Sequence, residues 1–233
     1  MVAAAAARKT SVRDQVVAEA TRLFAASGFD ATPLQDIADA VGVSKQAVLH
    51  HFPSKEHIRR GVMDAIFAHW REQLPRLLLS ATESHARFDA VLGEVYRFFA
   101  ANPDRARFIA RETLDRPAQA RAMLGHIAPL LRGIAGYIRA GLGEEPDDVD
   151  PDAYVVHVMQ LVVSATAMAE VTSGLLGEGA AGRARYDREL TRIAKASLFG
   201  RRGARPREVA APGKKPAKAR GKRTRGDRVR SRS

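Results

Sequence analysis

Apolar side chains recur at helical spacing through most of this chain and alternate nowhere in the period-two manner of a strand, so the pattern predicts an all-α protein. Val12, Val16, Ala20, Leu23 and Phe24 mark one face of a first helix, which Ser11 is placed to cap and Gly28 to end. Thr32-Pro33-Leu34-Gln35 joins a capping residue, a proline suited to a first helical position and a Gln three residues on. This predicts a second helix from Pro33, opened by a capping box, with Leu34, Ile37, Ala38 and Val41 inward and Gly42 at its end. Ser44 then caps a third short helix reaching His51, and Pro53-Ser54 breaks it and caps a fourth from Lys55.

The fourth helix is expected to run toward Leu79 with a kink or break near Pro75. Beyond it the spacing predicts helices over Glu83 to Ala101, from Asn102-Pro103, and over Pro117 to Leu142, the last kinked or split at Pro129. A loop over Glu144 to Asp150 follows, then an apolar helix from Pro151 to Leu176 and a final helix over 181–200. Four regions result: an N-terminal arm (1–10), a compact three-cap helical unit (11–56), a helical body (57–200) and a tail (201–233).

Charge changes this picture only when divided by position. The chain carries a formal +12, but residues 201–233 hold 14 of the 38 Lys and Arg and only Glu208 and Asp227 of the acids, leaving 24 basic against 24 acidic side chains in 1–200. The tail has almost no large apolar residues and is expected to be disordered. Its Gly213-Lys214-Lys215-Pro216-Ala217-Lys218 run looks like other basic tails that raise non-specific affinity for DNA.

Other classes drop out. The chain has no cysteine, so disulfides and thiolate chemistry are excluded. The Ala3 to Ala7 run is too short for a signal-peptide core, and the apolar stretch Ala153 to Ala169 is interrupted by His157, Gln160, Ser164 and Thr166, which points away from secretion and the membrane and toward the cytoplasm. No glycine-rich phosphate loop, nucleophile elbow or metal-ligand spacing appears, so the sequence proposes no enzyme reaction and no cofactor. His50 and His51 are adjacent on a helix, point about 100° apart and have no carboxylate beside them, which argues against a metal.

Two short helices joined by Val41-Gly42-Val43-Ser44 have the proportions of a helix-turn-helix, although an ordinary helical hairpin shares them. The longer string Gly28-Phe29, Thr32, Ile37-Ala38, Gly42-Val43-Ser44, His51-Phe52-Pro53-Ser54-Lys55-Glu56 closely resembles the N-terminal DNA-binding signature of the TetR family, over residues 12–58. The resemblance implies a sequence-specific transcriptional regulator, usually a repressor, that binds double-stranded operator DNA as a homodimer and answers to a small-molecule effector. It implies base contacts from Lys45, Gln46 and Ala47 after the cap Ser44, with Gln35 also in reach of the groove, and phosphate contacts from Thr32, His51 and Lys55. Thr32 and Ser54 are in any case read as caps, and Gln35 as a closer of the capping box. Gln46 stands where the family usually has a small residue and Leu49 where it usually has tyrosine; the missing hydroxyl removes a phosphate contact that His50 is positioned to replace.

The same resemblance implies an effector cavity in the body. Candidate lining residues are Phe67, Trp70, Tyr96, Phe99, Met123, His126, Tyr154, His157 and Met168, each equally readable as plain core, with His126 and His157 notable as polar groups in apolar surroundings. Few charges sit among them, which favours a hydrophobic or amphipathic effector. The helices 151–176 and 181–200 are the expected dimer interface, holding two reading helices about 34 to 36 Å apart. A different class remains open: an architectural protein that compacts DNA through the basic tail.

Overall fold

In the computed structural model, which describes residues 11–79, 84–142, 149–177 and 179–199, every regular element is a helix. The expected tail and the N-terminal arm lie outside the described residues. Helix α1 (Val12–Ser27) opens on Ser11, whose Oγ accepts from the Asp14 amide, and ends at Gly28, where a φ of 85° would strain any side chain. Helices α2 (Leu34–Val41) and α3 (Lys45–His51) lie against α1, and α4 (Lys55–Leu79) passes beneath them. Val16, Ala20, Phe24, Ile37, Ala38, Val48 and Ile58 are almost wholly buried in this head. Phe52 needs Gly61: a Cβ there would meet the Phe52 ring at 2.9 Å.

The body comprises α5 (Ser84–Ala100), α6 (Pro103–Asp115), α7 (Pro117–Leu142), α8 (Pro151–Ala167) and α10 (Gly179–Phe199), with a short α9 (Ala169–Thr172) and a 3-10 turn (Ser173–Leu176) between the last two. Asn102 and Asp150 cap α6 and α8 through their side chains, each followed by a first-position proline. At about 1.5 Å per residue the 25-residue α4 spans roughly 37 Å, so one rigid element belongs to both head and body.

Three sequence expectations are narrowed or corrected. Neither helix is broken or split at its proline: α4 continues through Pro75 and α7 through Pro129. The single helix expected over 151–176 is in pieces, bent by 71° after Ala167. Arg107 of α6 explains the break, because its Nε donates to the Ala167 carbonyl at 3.2 Å. The Val171 amide, which that carbonyl would accept in a continuing α-helix, turns instead to Met168 O at 3.0 Å. Thr32 also does not cap α2. Pro33 occupies the cap position with no side-chain bond, while the Thr32 hydroxyl points inward and donates to Gly28 O at 2.7 Å.

No single helix among the described residues is long and apolar enough to cross a membrane; only the bent 151–176 pair approaches the composition of one.

Candidate nucleic-acid interface

The turn between α2 and α3 is set by main-chain chemistry. Gly42 adopts the left-handed conformation (φ 76°, ψ 32°), its amide bonds Asp39 O at 3.1 Å, and the Val43 amide bonds Ala38 O at 3.0 Å. This pair of bonds closes the end of α2 in a Schellman motif. Two residues later the Ser44 Oγ accepts from the Ala47 amide at 3.1 Å and starts α3. Val48 anchors α3 in the core, fully buried. Turning that one side chain inward turns Lys45, Gln46, His50 and His51 out, all exposed, with Ala47 and Leu49 half-buried beside them. Lys45 with Leu49 and Gln46 with His50 stand four residues apart, so they form one outward strip. Gln35 is exposed on α2, but its amide donates to Asp39 Oδ1 at 2.7 Å rather than closing a capping box. Ser54 does cap α4, weakly, through the His57 amide at 3.4 Å.

Two residues expected at phosphates are engaged inside the protein. Thr32 is 2% exposed, its hydroxyl held as described. Lys55 Nζ donates to the Phe29 and Thr32 carbonyls at 2.8 and 3.0 Å and sits 4.4 Å from the centre of the Phe29 ring. It therefore clasps the α1–α2 loop to α4, and its charge is met by carbonyls and a π face instead of facing solvent.

Sequence reasoning missed the residues that bind α6 to this loop. Arg111 donates to the last carbonyls of α1, Ala25 O and Ala26 O, both at 2.9 Å, where a cation suits the negative end of the helix. Arg116 pairs with Asp30 at 3.0 Å and stacks on Phe29 with its guanidinium 4.0 Å from the ring centre. Arg59 of α4 and Glu112 of α6 form a pair at 2.8 Å with only 8% and 4% of their side chains exposed. Contacts spanning 53 to 86 residues leave no periodic trace, so only the fold reveals them.

Farther along α4 the body encloses apolar space. An inner chamber is walled by Ile66, Phe67, Trp70, Leu74, Phe99 and Val163 among others, and an outer one by Phe88, Val91, Ile138, Tyr154, Val158 and Leu198, with about 800 Å³ of empty space counted to its open mouth. Of the nine expected lining residues, Phe67, Trp70 and Phe99 border the inner chamber and Tyr154 the outer. The other five do not. Tyr96 accepts from Arg183 at 2.9 Å, the Met123 sulfur lies 3.6 Å from the Arg59 guanidinium, the exposed His126 stacks on Phe67 with 6.2 Å between ring centres, and His157 on α8 and Met168 just past its end are exposed. Burial pushes the Tyr154 phenol far above its usual range, and its hydroxyl donates to Ala194 O at 2.7 Å. The missed lining is mostly aliphatic, which in a sequence looks like any core, with Phe88, Phe199, Tyr137 and Arg87 beside it.

No group of three His, Asp or Glu able to hold a metal occurs among the described residues.

A short helix anchored at Val48, presenting an exposed polar strip after a capped, glycine-set turn, defines a helix-turn-helix DNA-binding regulator. Residues 16–62 match the family model of bacterial regulatory proteins, tetR family. The chain is 31% identical over 156 residues to the HTH-type transcriptional repressor KstR2 of Mycobacterium tuberculosis, covering 59% of this chain and 74% of that one. It is 35% identical over 98 residues to KstR2 of Rhodococcus jostii, a match spanning 40% of this chain but only 46% of that protein. It therefore belongs to the TetR family of transcriptional regulators, whose members are generally transcription factors. The fold is similar to that of the fatty acid degradation regulator FadR from Bacillus halodurans, with a TM-score of 0.67 at 14% identity over 84% of this chain and 99% of that one. A TetR-family regulator from Bordetella parapertussis gives a TM-score of 0.64 at 18% identity, over 81% and 95% of the two chains.

Proposed function

We propose that the protein is a homodimeric repressor that reads a palindromic operator with α3 and leaves it when an apolar or amphipathic effector fills the chambers. One observation carries the DNA half of this reading: Lys45 and Gln46 are exposed at the start of α3, have no packing task, and stand on a helix fixed by buried Val48. Gln46 suits adenine in the major groove and Lys45 guanine, while Leu49 suits a thymine methyl and His50 and His51 suit nearby phosphates. The names of the curated relatives support repression as the sign of regulation.

The dimer is assigned to α8 and α10. Val156, His157 and Gln160 on α8 and Ile193 on α10 face outward, while Val155, Val158 and Met159 face the chambers, so each helix has an inner and an outer apolar side. The effector half draws on α4, whose early turns lie beneath the head and whose later side chains wall the inner chamber. A ligand shifts the spacing of two reading heads only by binding the two conformations unequally, and a helix shared by both sites is a direct route for that difference. The family match on 16–62 supports the helix-turn-helix as the source of the specific contacts and disfavours DNA compaction by the tail as the main activity.

The test is selection of bound sequences from random DNA, repeated with Lys45→Ala plus Gln46→Ala. Each good base contact contributes about 1–3 kcal/mol of discrimination, so the double variant should lose operator preference by roughly 2–5 kcal/mol while its melting temperature holds. Retained preference would remove α3 as the reader.

A further inference from the structure

The two chambers adjoin, since Val95, Ile134 and Met159 border both. Among the described residues, Arg87 at the outer mouth is the one charged side chain in the lining of either. Arg87 is half-buried, with its guanidinium 5.4 Å from the centre of the Tyr137 ring, and Tyr137 itself is 39% exposed at the surface. The polar side-chain groups elsewhere in the lining are few: the Tyr154 hydroxyl, already donating to Ala194 O, and the Trp70 indole.

We propose that the chambers take an elongated anionic amphipath, its charged head held by Arg87 and Tyr137 at the mouth and its hydrocarbon tail passing the waist at Val95, Ile134 and Met159 toward Trp70. The inference rests on reading the chambers as the effector site. Each part of the ligand follows from one part of the lining. A charge drawn inward would lose its water with nothing to pair it, so the head must stay at the mouth. There the Arg87 guanidinium, with five donors in a planar fork, has a geometry that suits a carboxylate, and the Tyr137 ring behind it keeps it oriented. Past the mouth, a hydrocarbon gains from every ångström of depth, and a compact ligand would fill one chamber and leave the other empty. The waist is able to yield, because Met159 is unbranched and adapts its shape.

Trp70 is the only tryptophan in the chain and borders the inner chamber, so its emission reports arrival of a tail at the far end. The experiment titrates the full chain with straight-chain saturated carboxylic acids from octanoic to octadecanoic, below their micelle concentrations, and with the primary alcohols of matching length. Binding is read by calorimetry and Trp70 emission together. Short acids should bind without changing the emission, and acids beyond a threshold length should change it. Alcohols should bind at least about tenfold more weakly than acids of the same length, the share a charge-assisted bond contributes. Arg87→Glu should remove that preference and leave alcohol binding within about twofold, which also shows the variant is folded; Arg87→Lys should keep most of it. Equal binding of acids and alcohols, an unchanged preference in Arg87→Glu, or the same emission change at every length would each overturn the inference. Operator retention is measured alongside. Acids that bind without releasing operator sink the effector-released repressor and leave the ligand assignment standing; neutral compounds that release operator where acids do not bind do the reverse.

Discussion

The reading head and the chambered body are both built of apolar helices, yet they use space in opposite ways. Around Ile37, Val48 and Ile58 the head is closed, each of these side chains essentially without exposure, and an opening lies at the α6 side, beside Phe24 and Phe29. Around Val95, Ile134 and Met159 the body leaves room. Between them runs a seam of a third kind, in which Arg59, Arg111 and Arg116 join α4 and α6 to carbonyls, carboxylates and a ring of the head. Such an arrangement suits a regulator: a rigid head keeps its DNA-reading geometry, a yielding body accepts a ligand, and directional bonds at the seam hold discrete arrangements better than apolar contact does.

The seam is where this contrast breaks most sharply. Removing one partner of a buried pair leaves the other charged and unpaired, so Glu112→Ala should cost about 3–5 kcal/mol in a urea melt. Arg59→Leu with Glu112→Leu should recover much of that, because no charge is then left buried. If the double variant is as unstable as the single one, packing and not the ion pair holds α4 to α6.

Lys55→Met tests the same seam with a smaller expected effect. The variant keeps the stem beside Phe29 and loses the bonds to Phe29 O and Thr32 O, so stability should fall by about 1–3 kcal/mol. The slope of DNA affinity against salt should stay unchanged. A phosphate contact would instead lower that slope by about one. Melting curves and binding at several salt concentrations decide between the clasp and the phosphate contact.

Lys55 also marks where sequence reasoning reached its limit. The caps at Ser11, Ser44, Asn102 and the turn at Gly42 were readable because they rest on neighbours within a few residues. The polar strip of α3 was readable for the same reason: Val48 buried implies Lys45 and Gln46 exposed. Most of what escaped was set at long range. Thr32 is the local exception: it sits in a capping pattern, yet Gly28 O, four residues back, takes its hydroxyl. The apolar run after Pro151 reads as one helix, yet an arginine sixty residues earlier captures the carbonyl that would continue it. His126 and His157 look anomalous among apolar neighbours in sequence, but both are exposed, His126 with its ring stacked on Phe67. The aliphatic lining of the chambers was invisible, since a residue that borders a void and one that fills it have the same composition.

The smallest effect on stability should come from enlarging a side chain in the body. Val95→Phe adds bulk at the point where both chambers meet. In a closed core such a change costs about 1–3 kcal/mol through strain, but here the ring has empty space to enter on either side, so the melting midpoint should shift by less than about 1 kcal/mol. The same ring would block the waist. Long-chain acids should then still find Arg87 yet no longer alter Trp70 emission, and operator binding without ligand should be unchanged. A large loss of stability would mean that the waist is packed as tightly as the head, and the contrast between a closed reader and a yielding receiver would fall with it.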